Sequence, residues 1–279
     1  MKFTKMHGIA NDYIYVNCFE ERVENPEKLS VRLSDRRRSI GGDGLILICP
    51  SEVADFKMRM FNADGSEGKM CGNGTRCIGK YVYDKGLTKK TTVTLETLSG
   101  IKTLKLHLKD GKVETVTVDM GKADFKCKNI PALYEKDEMI DRQVNRFDRT
   151  WFETAVSMGN PHCVIFTDDD IKSLDLEKIG PDFENDPVFP ERVNTEFVNV
   201  IDNHTLSMRV WERGSGETMA CGTGACAICA AAVKKGIANA EEEITVKLLG
   251  GDLKIVVSQG FDVLMTGPAE TAFEGDVQI

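Results

Sequence analysis

Residues 58–74 read MRMFNADGSEGKMCGNG, and residues 208–224 read MRVWERGSGETMACGTG. At a single offset of 150, Met58 aligns with Met208, Arg59 with Arg209, Phe61 with Trp211, Glu67 with Glu217, Cys71 with Cys221, Gly72 with Gly222 and Gly74 with Gly224. Lys85-Gly86 and Lys235-Gly236 keep that offset without a gap. With small slips the likeness runs on, as VTLETLSG at 93–100 echoes ITVKLLGG at 244–251 and VDMGKA at 118–123 echoes LMTGPA at 264–269. A chain written twice folds as two related units, because each copy carries the same alternation of apolar faces and turns. The expected division is 1–119, completed by a C-terminal strand 266–279, against 120–265, with the active site in the cleft between them.

Both halves read alike locally. ADFKMRMF and HTLSMRVW alternate like strands, a Gly-rich turn carrying the cysteine follows, and TRCIGKYVYDKG and GACAICAAAVKKG read as helices that stop at Gly86 and Gly236. Three short strands close each half, at 91–98, 101–108 and 113–118, then 243–249, 252–257 and 262–266. The second helix has almost no polar face, with Cys226, Ile228, Cys229 and alanines at 225, 227 and 230–232. Such a helix must be buried by strands all round. The expected fold is therefore α+β, two pseudo-symmetric strand-rich domains, each a mixed-sheet barrel wrapped on a central helix. Helices at about 26–36 and 171–179 are expected to be amphipathic and peripheral.

Composition narrows the function. Asp and Glu exceed Lys and Arg by 44 to 36, a formal charge of -8, which argues against a general nucleic-acid or anionic-membrane surface. Arg36-Arg37-Arg38 reads as a solvated helix end. The N-terminal segment lacks the continuous apolar core of a secretory signal, and no run reaches the ~18 to 20 strongly apolar residues that span a bilayer. A cytoplasmic location is expected. Nine cysteines, an odd number in a chain of 279 residues, fit reduced thiols rather than disulfide staples.

In each half a Cys-Gly-x-Gly turn opens a buried helix, placing the sulfur and several backbone N–H groups at the helix N-terminus. Such a terminus binds anions and lowers a thiol pKa. A single cysteine there is ordinarily packing. Two matching turns, each with glycines that let a ligand approach the backbone, point instead to chemistry. Related domains commonly set equivalent elements face to face, which would place Cys71 and Cys221 on opposite sides of one ligand. Inverting a stereocentre by proton transfer needs a base on one face of the carbon and an acid on the other. A thiolate and a thiol suit that exchange.

Six segments carry a family resemblance: MHGIANDY at 6–13, FNADGSE at 61–67, MCGNGTRC at 70–77, SMGNPHCV at 157–164, FPERVNTEF at 189–197 and ERGSGETMACGTGA at 212–225. Together they resemble the diaminopimelate epimerases over nearly the whole chain. The resemblance implies a cofactor-independent enzyme of lysine and peptidoglycan-precursor biosynthesis that interconverts LL- and meso-2,6-diaminopimelate. It implies no pyridoxal phosphate, no metal and a homodimer. It also implies that Cys71 and Cys221 are the acid/base pair, with His162 and Glu212 tuning their pKa values. Asn11, Asn62, Gly72, Asn73, Asn160, Asn194, Glu212, Arg213, Gly222 and Thr223 are the implied substrate-binding residues. Gly44 departs from family members that carry glutamine there.

Three rivals stand beside this reading. Cys226-Ala-Ile-Cys229 is a C-x-x-C that a thiol oxidoreductase or a zinc module would use, but it lies inside an apolar helix and has no second C-x-x-C. Gly222-Thr-Gly224-Ala-Cys-Ala227 fits a loose dinucleotide signature that no buried strand precedes. A proline or hydroxyproline racemase of the same fold is nearer, and the paired asparagines with Glu212-Arg213 favour the longer diamino diacid.

Overall fold

In the computed structural model, residues 1–278 are described, so Ile279, the last residue of the expected strand 266–279, lies outside them. The chain separates into two compact units, one formed by Met1–Asp119 and the segment from Thr266 onward, the other by Met120–Met265. The first contains β1 (Lys2–Gly8), β2 (Asn11–Asn17), α1 (Pro26–Ser34), β3 (Gly44–Cys49), β4 (Phe56–Asn62), β5 (Glu67–Gly68), α2 (Gly72–Asp84), β6 (Thr92–Thr97), β7 (Gly100–Lys109) and β8 (Lys112–Lys122). The second contains β9 (Arg142–Arg146), β10 (Arg149–Ser157), β11 (Pro161–Phe166), α3 (Leu176–Glu184), β12 (Asn194–Asp202), β13 (Thr205–Glu212), β14 (Gly216–Glu217), α4 (Gly222–Lys234), β15 (Glu243–Leu248) and β16 (Gly251–Val257), and the unit boundary after Met265 falls within β17 (Asp262–Pro268). β18 (Glu270–Asp276) returns to the first unit.

Strand order repeats between the units. In the first, the order is β18-β1-β2-β3-β4-β6-β7-β8, with β2/β3 and β4/β6 parallel and the remaining pairs antiparallel. In the second, β9-β10-β11-β12-β13-β15-β16 has its parallel pairs at β11/β12 and β13/β15. The same ion pair clips each hairpin that precedes a cysteine: Arg59 Nε to Glu67 at 2.8 Å and Arg209 Nε to Glu217 at 2.7 Å.

Within each unit one helix touches strands from both ends of the sheet order. α2 packs on β1, β2 and β7, and α4 packs on β10, β11, β12 and β16. A sheet that meets one helix at both ends is curled around it, so the mixed sheet wrapped on a central helix is present in both halves. Ala225 through Ala232 are all fully buried, as a helix apolar on every side requires. Cys226 and Cys229 lie among them at 0% exposure, and burial drives the Cys229 thiol pKa well above its usual value. That placement removes the oxidoreductase and zinc readings, since neither sulfur is accessible to a redox partner or an entering ion.

Two peripheral elements differ from expectation. The helix expected at 171–179 begins later, because the Asp175 carboxylate accepts the Lys178 N–H and caps α3 at Leu176, while residues 171–173 form a separate 3-10 turn capped by Asp170. α1 ends at Ser34, and Arg36 folds back to pair with Asp12 at 2.6 Å and Asp43 at 2.8 Å. Arg36, Arg37 and Arg38 all stay exposed, as expected, although they follow the helix rather than end it. No helix among the described residues is long and apolar enough to cross a membrane.

Gly44 opens β3 with φ +159, and a Cβ there would stand 2.0 Å from the Phe61 carbonyl oxygen and 2.9 Å from a Tyr13 ring carbon. The obstacle is backbone on the paired strand, which cannot rotate away. A glutamine at this position therefore needs a different course of β3 against β4. Gly44→Gln is expected to destabilise the fold by about 3 kcal/mol or more. Urea unfolding measures it, and an unchanged midpoint would remove the steric account.

Candidate active site

Cys71 is the residue at which β5 gives way to α2. Its backbone is extended, at φ -129 and ψ 117, and its Sγ accepts the Gly74 N–H at 3.4 Å, so the sulfur itself caps the helix. Cys221 does the same for α4, at φ -111 and ψ 105, with Sγ accepting the Gly224 N–H at 3.3 Å. In such a cap the first-turn N–H groups have no acceptor within the helix. Gly72 and Asn73 supply that turn in α2, Gly222 and Thr223 in α4. Glycine at the third position has a steric cause: a Cβ on Gly74 would meet Ile46 at 2.6 Å, and one on Gly224 would meet Glu196 Oε1 at 2.7 Å.

Around this shared cap the halves differ. In the first unit the Cys71 sulfur faces Asn11 Oδ1 at 3.3 Å, and Asn11 Nδ2 donates to Asp43 at 2.7 Å. Asp43 also takes the Asp12 N–H and the Arg36 guanidinium, which fixes the start of β2 beside the helix. Asn62 ends β4 and braces its own turn, donating to Ser66 Oγ at 3.0 Å.

In the second unit His162 is fully buried, its Nδ1 2.6 Å from Glu196 Oε1 and its Nε2 3.1 Å from Asn160 Oδ1. The Asn160 amide donates to Thr223 Oγ1 at 3.3 Å, and that hydroxyl stands 3.5 Å from Cys221 Sγ. Glu212 accepts the Thr218 hydroxyl and a hydrogen bond from Cys221. Burial raises the Glu212 carboxyl above its ordinary range. Burial, then the negative charges of Glu212 and Glu196, push the Cys221 thiol well above its usual value, against the lowering by Thr223 and the Gly224 N–H. Cys221 is thus held as a neutral thiol, a proton donor at the mouth of a helix.

Arg213 follows Glu212 in the turn before β14. Its N–H donates to Asn194 Oδ1 at 2.8 Å, its guanidinium reaches the Glu191 carbonyl at 2.8 Å, and the next N–H, of Gly214, donates to the buried Glu184. Asn194 also donates to the Pro161 carbonyl at 3.1 Å, so both ends of its amide brace the scaffold. The structure gathers Asn11, Cys71, Gly72 and Asn73 at the start of α2. It gathers Asn160, His162, Glu212, Cys221, Gly222 and Thr223 at the start of α4. Asn62 stands at the end of β4, Asn194 at the start of β12 and Arg213 in the turn between β13 and β14.

Sequence reasoning missed Glu196 and Asp43. The repeat itself held the signal for Glu196. At the offset of 150 it aligns with Ile46, and the two occupy equivalent places against Gly74 and Gly224. Glu212 likewise replaces Asn62 at that offset. At these two positions the second copy carries carboxylates where the first carries Ile46 and Asn62.

A family model described as "Diaminopimelate epimerase" matches residues 3–126 and 154–272. A diaminopimelate epimerase of Acetivibrio thermocellus is 56% identical, the match covering 100% of this chain and 99% of that protein. One of Methanococcus maripaludis is 54% identical over 100% of both chains. Among solved structures, a probable proline racemase from Agrobacterium radiobacter K84 superposes with a TM-score of 0.74 at 13% identity, covering 100% of this chain and 93% of that one. A phenazine biosynthesis protein of the PhzF family from Bacillus anthracis gives 0.73 at 19% identity, covering 100% and 99%. At such identities these structures share the fold.

Proposed function

This chain belongs to the diaminopimelate epimerase family, and on that premise we propose that it interconverts LL- and meso-2,6-diaminopimelate by proton transfer at the α-carbon, with Cys71 and Cys221 as the two bases. The observation that carries the mechanism is the repeated sulfur cap set in two different electrostatic surroundings. Cys221, held neutral by burial and by Glu212 and Glu196, donates a proton to one face. Cys71, whose Sγ accepts the Gly74 N–H and whose S–H donates to Asn11 Oδ1, acts on the other face as the thiolate once that proton is released. After one inversion the protonation states are exchanged, and the reverse reaction restores them.

Charge develops on the substrate α-carboxylate as the proton leaves. The N–H groups of Gly72, Asn73, Gly222 and Thr223 at the two helix termini suit that charge, which stabilises the transition state more than the ground state. Asn11, Asn62, Asn160 and Asn194 contribute amide contacts. Arg213 supplies a planar fork for the distal carboxylate and Glu212 an anion for an ammonium group. His162, buried between Glu196 and Asn160, holds the Asn160-Thr223 chain in place against Cys221. No cofactor enters these steps. A homodimer and a cytoplasmic location, in lysine and peptidoglycan-precursor synthesis, complete the reading; sedimentation analysis tests the first.

Incubation of reduced, metal-chelated protein with LL-diaminopimelate, followed by chiral separation, tests the substrate. Formation of meso product is expected. The proline racemase neighbour keeps one alternative in view, and turnover of proline or hydroxyproline in place of diaminopimelate would overturn the substrate. Arg213→Lys, which loses the bidentate fork, is expected to raise KM at least about tenfold. Unchanged KM and kcat would remove Arg213 from the site.

A further inference from the structure

Cys18 and Cys49 have no part in the proposed epimerisation. β2 and β3 run parallel with Asn17 opposite Ile48, and the ladder continues past the end of β2, since the Cys18 N–H donates to the Ile48 carbonyl at 2.9 Å. One more step of that register sets Cys18 beside Cys49. Neighbouring strands lie about 4.8 Å apart, and paired residues of parallel strands point to the same face, within the Cα separations of about 4.4 to 6.8 Å that a disulfide spans. The two side chains hydrogen-bond one another.

Both thiols are half-buried and line an open groove together with Arg22, Val23 and Arg59. The hydrogen bond from Cys18 and the nearby charges of Arg59 and Lys57 outweigh burial and lower the Cys49 pKa, while the same bond raises Cys18. The pair therefore has a nucleophile, a second thiol in reach and access from solvent, the three features of a redox-sensitive dithiol.

We propose that Cys18 and Cys49 form a peroxide-sensitive dithiol, distinct from the two helix-capping cysteines, that closes to an intramolecular disulfide. The Cys49 thiolate attacks a hydroperoxide: an S–O bond forms, the O–O bond breaks, and the departing alkoxide or hydroxide takes a proton to leave as alcohol or water. Cys18 sulfur then attacks the Cys49 sulfenic acid. The S–S bond forms as the S–O bond breaks, and the leaving hydroxide takes the Cys18 proton to give water. Two electrons pass from the thiols to the peroxide, and a dithiol reductant reverses the change.

Full-length wild type and the Cys71→Ser/Cys221→Ser variant are treated with a few equivalents of hydrogen peroxide, blocked with N-ethylmaleimide and digested with trypsin. The readout is mass spectrometry, which does not depend on epimerase activity. In both proteins peptides 6–22 and 39–57 are expected joined, and dithiothreitol should separate them. In Cys18→Ser, dimedone is expected to label Cys49. Recovery of both peptides separately blocked by maleimide, at peroxide doses that oxidise other cysteines of the chain, would overturn the proposal. So would Cys49 passing to the sulfinic acid while Cys18 remains alkylated.

Discussion

Cys221→Ser and Cys71→Ser are each expected to lower kcat for epimerisation about a thousandfold, within the range that positioned acid/base groups contribute. A serine hydroxyl keeps the cap, since its oxygen accepts the same Gly224 or Gly74 N–H that the sulfur accepts. Stability should therefore hold while chemistry fails, because a hydroxyl does not ionise in the range where a thiol does. The variants should also differ from a simple loss of the site. With one thiol left, the stereoisomer that presents its α-hydrogen to that thiol can still exchange it with solvent and be reprotonated on the same face. Each variant is expected to exchange one stereoisomer faster than it inverts it. Full turnover in either serine variant would end the two-base account.

Glu212→Gln carries the second large effect, and its two readouts move in opposite directions. The carboxylate accepts from Cys221 and adds to the charge that keeps that sulfur protonated. Neutralising it lowers the Cys221 pKa towards the ordinary thiol value, and kcat is expected to fall about a hundredfold. Stability should rise. The Glu212 pKa is raised in the folded chain by burial, so its favourable contribution is complete below the unfolded value of 4.5 and is lost as pH rises through the folded value. Glutamine has no such loss. The variant's advantage in urea should be absent at pH 4 and present at pH 7. An advantage equal at both pH values would show that the carboxylate's ionisation is not the cause.

Fold and site were legible to different depths. The offset of 150 marked both cysteine turns, the helices they open and the strands that follow. Those features depend on short-range patterns, such as glycine stops and alternating apolar residues, that survive in each copy. The boundaries of α3 were not legible, because Asp170 and Asp175 compete as caps five residues apart and only packing decides which begins the longer helix. Arg36 is exposed as expected, but its pairing was not legible, since Asp12 lies 24 residues away and only the fold brings the two together. Glu196 looked like an ordinary polar residue in an alternating strand. Its place under the first turn of α4 emerges only when the two copies are compared position by position, with Ile46 as the reference. The repeat therefore holds more about the site than any single motif. What is shared between the copies builds the caps, and the carboxylates found only in the second copy push the Cys221 thiol pKa up.

The central claim is that two different monoprotic groups serve the two faces of one carbon. Its most direct test is to start the reaction from LL-diaminopimelate in deuterium oxide and measure isotope at the α-carbon of product and residual substrate over the first few per cent of conversion. The account predicts that the inverted centre of each meso molecule carries a solvent deuteron while unreacted LL substrate keeps its hydrogen. Product that retains the original hydrogen, or residual substrate that gains deuterium as fast as product forms, would contradict it.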